Sequence, residues 1–420
     1  IEKARAQPEA LPFEFQALGI LPEPWTPKVV ISRHQGLLGN ITQELAIGRA
    51  VAAIGEDKVR ELLWFHPKKP DLRLHGGIDG EALSPDILEL YNAYRKPVEF
   101  HESDLTEAFR QREASRQLVR RLNDQVPQAT SRQGLQNSRE VLLPDSLSLG
   151  SNNWVVAAEK MDNGKPFMAN DPHRRIAVPS LRYMAHLVAP GWNVIGGGEP
   201  EIPGISIGHN EYGAWGLTVF RTDGEDLMVY ETRPGAPDEY LYQGEWAPME
   251  VIRERIPVAG GRPVEVSLKY SRHGPVVYQD TVRNRAYAVR CAWLEPGGSP
   301  YLASLRMDQA KTWEEFRDAC SYSHIPGENM VWADTSGTIG WQAVGIAPLR
   351  RNFSGLVPVP GDGSFEWDGY LPIREKPHLE NPPEGFIATA NQDVTPEDYE
   401  HWDAIGYSWS DTFRGRRIEE

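Results

Sequence analysis

The order of patterns along the chain predicts an α+β layered fold, and three observations carry that expectation. Apolar residues recur at helical spacing near the start of the chain. From Ser151 onward the pattern turns to short runs rich in β-branched and aromatic residues, separated by Gly, Pro or Asn. One helical stretch, residues 301–323, interrupts the strand series, so helices and strands are segregated rather than interleaved.

Taken in order, residues 1–28 are rich in proline and aromatics and read as an irregular segment wrapping the surface. Residues 29–67 place Leu37, Leu38, Leu45, Ile47, Val51 and Ile54 at helical spacing, which predicts one or two helices. Residues 105–126 read as a charged helix with opposite charges close enough for i,i+4 pairing, and 130–149 as a polar, turn-rich stretch. Residues 151–160 have strand character, Asn163-Gly164 is a strong hairpin signal, and 165–170 is the return strand. That register pairs Lys160 with Lys165 and brings Ser151 opposite His173 and Arg174. Further strands are predicted at 183–188, 193–196, 214–220 and 227–232, and a meander at 244–278 turns at Gly260-Gly261 and His273-Gly274-Pro275. Residues 330–344 read as a hairpin around Asp334-Thr335-Ser336-Gly337.

The 420 residues can bury a large core, and 40% hydrophobic with 25% charged residues is an ordinary globular balance. A net charge of -15, with no basic patch interleaved with aromatics, argues against a nucleic-acid partner. No apolar run reaches the length a membrane helix needs. The chain opens on Ile1, which reads as a start inside a longer precursor. Cys291 and Cys320 fit one disulfide or two buried thiols equally, and neither CxxC nor HExxH is present to suggest zinc.

The Gly150-Ser151 junction carries the chemistry. A serine hydroxyl is a weak nucleophile until a base takes its proton. If the bond before Ser151 is cut, the serine's own α-amine is freed, and its ordinary pKa of about 7.7–8.0 suits a base near neutrality. Glycine at 150 tolerates a closely approached backbone. A rival nucleophile is Ser206 in Gly204-Ile205-Ser206-Ile207-Gly208, which matches G-x-S-x-G and would make an α/β-hydrolase-like esterase. That motif needs a strand before it and a helix after it, whereas Pro200 and Pro203 precede it and His209-Asn210-Glu211-Tyr212-Gly213 starts a helix poorly.

Ser151-Asn152-Asn153-Trp154-Val155-Val156, then Asn170-Asp171-Pro172-His173, resembles the start of the β-chain in the penicillin acylase family, serine N-terminal-nucleophile hydrolases. The resemblance continues through residues 203–210, Ala214-Trp215-Gly216-Leu217-Thr218, Asp223 to Asp226, Ala390-Asn391-Gln392, and Arg414 to Ile418, in the family's order. It implies a four-layer αββα sandwich, with an α-chain-like helical part at 1–126, a spacer at 127–150 and a β-chain-like core at 151–420. Relatives extend beyond both ends of this chain. It also implies an autocatalytically processed amidohydrolase, in which Ser151 attacks the Gly150 carbonyl and then an N-acyl amide of the penicillin, cephalosporin or N-acyl-homoserine-lactone type. The partners would be that small molecule and the chain's own two pieces, and the location would be periplasmic or secreted. An uncleaved acylase-like module that binds without turnover is the non-enzymatic alternative.

By the same resemblance, the Val219 backbone N–H and the Asn391 amide would hold the oxyanion. His173 stands where penicillin G acylases carry glutamine, and cephalosporin and acyl-homoserine-lactone acylases resemble this chain in carrying histidine. Arg414 would steady Asn391 and the amine. A structural calcium would be held by Glu44, Asp223, the Glu225 carbonyl, Asp226 and Asp403, oxygen ligands that suit a hard cation. The acyl pocket maps to Arg174, Ile207, Leu217 and Arg221, and departs from penicillin G acylase there. Two arginines suit an acidic or polar acyl group. The alternative is that they face solvent or pair with Glu199 or Asp223.

Overall fold

The computed structural model describes residues 1–31, 38–95, 99–111, 113, 117, 119–120, 150–173 and 180–420. Six strands frame the site: β1 (Gly150–Val156), β2 (Phe167–His173), β3 (Gly213–Val219), β4 (Glu225–Arg233), β5 (Glu328–Asp334) and β6 (Phe386–Thr389).

β1 lies between β2 and β6 in a three-stranded antiparallel sheet. Its register sets Gly150 against His173 and Ser151 against Pro172, the neighbourhood the hairpin reading anticipated. The connection is wider than the tight Asn-Gly turn predicted. β1 stops at Val156, Ala158–Lys160 forms a short helical turn, and Gly164 takes φ 62° while Asn163 does not adopt a positive φ. A two-residue type I′ turn needs positive φ at both positions. The chain leaves the ladder early because the Ala157 N–H donates to the Gly385 carbonyl at 2.9 Å, a tertiary tie invisible in local sequence.

β3 and β5 pair at the centre of a seven-stranded antiparallel sheet, which runs from His378–Glu380 through Ile339–Ala343, β5, β3, Ile207–His209 and Trp192–Gly198 to Tyr183–Ala189. Side chains alternate across a strand. Trp215 and Leu217 therefore share one face with Trp332 and pack on Phe316 of the helix Trp313–Cys320. Gly216 and Thr218 face the three-stranded sheet. A Cβ on Gly216 would sit 2.5 Å from the Asn170 Oδ1 of β2, so glycine there lets the two sheets close on each other. Val155 of β1 meets Val331 and Trp341 in the resulting inter-sheet core.

A third sheet, built on β4 and the strands up to Cys291 and joined in parallel by Val359–Pro360, lies against α1 (Asn40–Ile54), whose Ile41 and Leu45 pack with Leu227 and Val229. Fully burying such a side chain contributes about 1.5–3 kcal/mol, and this joins the first segment to the strands of the core. A short helix, α2 (Phe413–Glu419), contacts β6.

Helices, antiparallel sheets and their segregation make the fold α+β, as expected. The first 28 residues are more ordered than the irregular segment expected: they contain the short helices Glu2–Ala6 and Phe13–Leu18, the latter preceded by Pro12, a residue preset for a helix start. In the charged stretch, Glu107–Arg110 and residues 113, 117, 119 and 120 are helical, while 121–126 and the proposed spacer up to 149 lie outside the described residues. Among the described residues no helix is long and apolar enough to cross a membrane. Cys291 and Cys320 are two buried free thiols, not a disulfide.

Candidate active site

Alternation along β1 turns Ser151, Asn153 and Val155 inward and leaves Asn152 and Trp154 half-buried. Ser151 is 2% exposed, at the head of the strand. Its Oγ accepts two hydrogen bonds, from the Val219 N–H at 3.2 Å and the Asn391 Nδ2 at 3.1 Å. Val219 ends β3 and Asn391 follows β6, so both sheets contribute a donor.

Asn391 has φ 69°, a left-handed conformation that asparagine tolerates better than most residues. Its amide is fully engaged. Oδ1 accepts from the Ser151 N–H at 2.9 Å and from Arg414 Nη2 at 2.9 Å, while Nδ2 also donates to the Val219 carbonyl at 3.0 Å. This pattern fixes which way the amide points. Arg414, near the start of α2, donates through Nη1 to the Ser151 carbonyl at 3.2 Å and to Asn152 Oδ1 at 2.9 Å. A Cβ on residue 150 would lie 3.0 Å from that guanidinium, a close approach that glycine avoids.

Among the described residues, no histidine or carboxylate hydrogen-bonds the Ser151 Oγ. His173 sits one position along the ladder and meets Asn152 Nδ2 and Asp171 Oδ2 through Nε2, each at 3.1 Å. Its link to the nucleophile runs through Asn152 and Arg414.

Behind the serine lies a buried polar chain that sequence reasoning missed. Thr389 Oγ1 donates to Asn153 Oδ1 at 2.5 Å and meets Thr218 Oγ1 at 2.5 Å. Asn329 Nδ2 donates to Thr218 Oγ1 at 3.1 Å and to the Val219 carbonyl at 3.3 Å, and its Oδ1 accepts from Trp341 at 2.9 Å. These bonds pin β1, β3, β5 and β6 together beside the two donors. Isolated Asn and Thr in strands give no local signal for such a role.

A cavity of about 380 Å³ opens beside the site, lined by Gly150, Val219, Arg221 and Asn391, and by Asn40 and Gln43 of the first segment. The expected acyl pocket is assembled only in part. Arg221 lines the cavity, and Arg174 lies outside the described residues. Leu217 is buried in the core on the opposite face of β3, and Ile207 packs against that same cluster, so neither lines the cavity. Strand alternation is the reason: the face that carries Trp215 and Leu217 points away from β1.

Ser206 is excluded as the rival nucleophile. The strand Ile207–His209, not the helix that the motif requires, follows it.

The expected calcium ligands do come together, except one, but around a guanidinium. Arg350 is fully buried and donates to Asp223 Oδ1 at 2.9 Å, to Asp226 Oδ2 at 2.9 Å and to the carbonyls of Asp223 at 3.2 Å and Glu225 at 3.3 Å. Glu44 accepts from the Leu227 N–H at 3.0 Å, and the Glu225 carboxylate from Tyr91 at 2.8 Å. Asp403 is instead largely exposed, meeting Lys68 at 3.1 Å and Tyr407. Burial pushes the carboxyls of Glu44 and Asp226 upward and that of Asp223 to about 7, against the pull of Arg350. Among the described residues no three His, Cys, Asp or Glu side chains are arranged to hold a metal ion. In this structure the oxygens of Asp223, Glu225 and Asp226 are engaged by the guanidinium of Arg350. Nothing in the motif Asp-x-x-Asp pointed to Arg350, a long way off in sequence.

Two antiparallel sheets closing over a serine at the head of a strand, with a backbone and an asparagine donor on its hydroxyl, define an α+β protein of the N-terminal-nucleophile hydrolase type. Residues 1–420 match the family model described as penicillin amidase, and the chain belongs to that family. It is 28% identical over 423 residues to the acyl-homoserine lactone acylase QuiP of Pseudomonas fluorescens (strain Pf0-1), covering 98% of this chain and 46% of that protein. It is 28% identical over 415 residues to the penicillin acylase 2 proenzyme of Pseudomonas sp. (strain SE83), covering 98% and 48% respectively. It also superimposes on a thermostable penicillin G acylase from Alcaligenes faecalis with a TM-score of 0.58 and 28% identity, over 64% of this chain and 49% of that one. The chain thus spans about half the length of the curated relatives it matches.

Proposed function

We propose that this chain is the nucleophile-bearing part of an amidohydrolase that cleaves an N-acyl amide, of the penicillin, cephalosporin or N-acyl-homoserine-lactone type, by acyl transfer to Ser151. One observation carries the reading: the Ser151 Oγ is held by two N–H donors, and no histidine or carboxylate among the described residues is bonded to it. The serine's own nitrogen is then the base at hand, once the bond to Gly150 is cut.

Processing begins with attack of the Ser151 Oγ on the Gly150 carbonyl carbon. The C–N bond breaks as the nitrogen takes up a proton, and water hydrolyses the resulting ester, leaving Ser151 at a new N-terminus. In the mature site the hydroxyl proton passes to the Ser151 amine as Oγ attacks the amide carbonyl. The Val219 N–H and Asn391 Nδ2 then stabilise the developing oxyanion. The amine leaves with the proton, and water releases the acid. Action in the periplasm or outside the cell belongs to the same proposal and rests on the family resemblance alone.

Ser151→Ala tests both steps. Intact-mass measurement should show one uncut chain, and assay against N-acyl amides should show no turnover. Cleavage at Gly150 with activity in that variant refutes the mechanism; a wild-type chain that stays whole and inert supports the non-catalytic module instead.

A further inference from the structure

Arg221 lies two residues beyond the Val219 donor, in the same cavity as Gly150 and Asn391. Its side chain makes no ion pair or hydrogen bond to any described residue, and the carboxylates that could have neutralised it are engaged elsewhere. Asp223 is held by Arg350 at 2.9 Å, and Glu199 faces Arg182 at 3.6 Å. Burial, and then the proximity of Arg414, lowers the affinity of Arg221 for its proton, so the charge stands in an unfavourable setting. Arg414 is a second guanidinium close to Arg221, and its bonds go to the neutral oxygens of Ser151, Asn152 and Asn391. Arg221 meets no carboxylate that is free of its own partner: Asp223, which also lines the cavity, is held by Arg350. Buried charge is ordinarily paired, and guanidinium matches a carboxylate bidentately.

We propose that Arg221 is a substrate-binding residue for an anionic group, and that the substrates of this site are N-acyl amides bearing a carboxylate. This rests on the amidohydrolase reading and specifies its substrate class. The carboxylate can come from either half of the amide.

Three substrates distinguish these sources: an N-acyl anilide without charge, the same acyl group on 3-aminobenzoate, and the anilide half-amide of a dicarboxylic acid. The wild-type protein should favour one of the charged amides over the neutral one in kcat/KM by about tenfold or more, as expected for a charge-assisted hydrogen bond. Arg221→Gln should collapse that ratio towards one, and Arg221→Lys should restore part of it. A ratio unchanged by Arg221→Gln overturns the proposal, as does a wild-type protein indifferent to charge. If the wild type hydrolyses none of the three, the amidohydrolase reading fails, and binding decides the subsite separately. In that case calorimetry of the charged amides with the wild-type protein, and with Arg221→Gln, should show at least tenfold weaker binding in the second. Equal binding, or binding by neither, overturns it.

Discussion

Replacing Asn391 isolates the contribution of one donor to the proposed chemistry. Its Nδ2 stands 3.1 Å from the Ser151 Oγ and is oriented by the Val219 carbonyl, while its Oδ1 holds both the Ser151 nitrogen and Arg414. Loss of a positioned oxyanion donor raises the barrier by about 2.7–4 kcal/mol, or roughly 10²–10³ in kcat. Asn391→Ala confounds this with backbone strain, because φ is 69° and an alanine there costs about 1–2 kcal/mol. Asn391→Gly removes the same donor without the strain. The two variants should therefore lose kcat to a similar degree, about 10²–10³, with KM changing far less, while Asn391→Gly unfolds at higher urea than Asn391→Ala. Single-turnover and steady-state kinetics on protein already cut before Ser151 keep processing out of the comparison. A kcat within about fivefold of wild type in Asn391→Gly would refute the assignment of this amide to the oxyanion. A large loss only in Asn391→Ala would show that backbone strain, not the missing donor, is responsible.

Two further expectations test the frame around the site. Gly216→Ala would place a Cβ 2.5 Å from the Asn170 Oδ1 and push the two sheets apart, so it should cost about 1–3 kcal/mol in denaturant unfolding and lower kcat by shifting Val219 relative to Ser151; an unaffected variant would show that the sheets are not in contact there. Lys376 is buried, donating to Thr222 Oγ1 at 2.7 Å and to the Val344 and Gly345 carbonyls at 3.0 and 3.1 Å, and burial lowers its pKa to about 7. The unfolded chain keeps that proton to about pH 10.4, so it binds more protons than the folded protein between those values. Relative to Lys376→Met, the wild type should gain stability as pH rises from 7 towards 10, at a slope approaching ~1.4 kcal/mol per pH unit, and lose it again as pH falls to 7. A difference independent of pH in urea melts would mean that Lys376 keeps its charge when buried.

Local patterns and short motifs determined a good deal of this. The junction of Gly150 with Ser151, the strands on either side of it, the Asn391 and Arg414 blocks and the segregation of helices from strands are all legible without coordinates. The junction, the strands and the segregation depend on neighbours in sequence, through side-chain alternation and turn residues, whereas the Asn391 and Arg414 blocks are read from the family resemblance. Long-range packing decided the rest. The face of β3 that reaches β1 follows from how two sheets stack, and it put Leu217 into the core instead of the cavity. The Asn153–Thr389–Thr218–Asn329 chain joins residues from four strands. Arg350 reaches Asp223 and Asp226 from far along the chain and pairs with both. Charges and polar groups buried together must find partners wherever the fold supplies them, and those partners are set by tertiary contact, which no window of sequence contains.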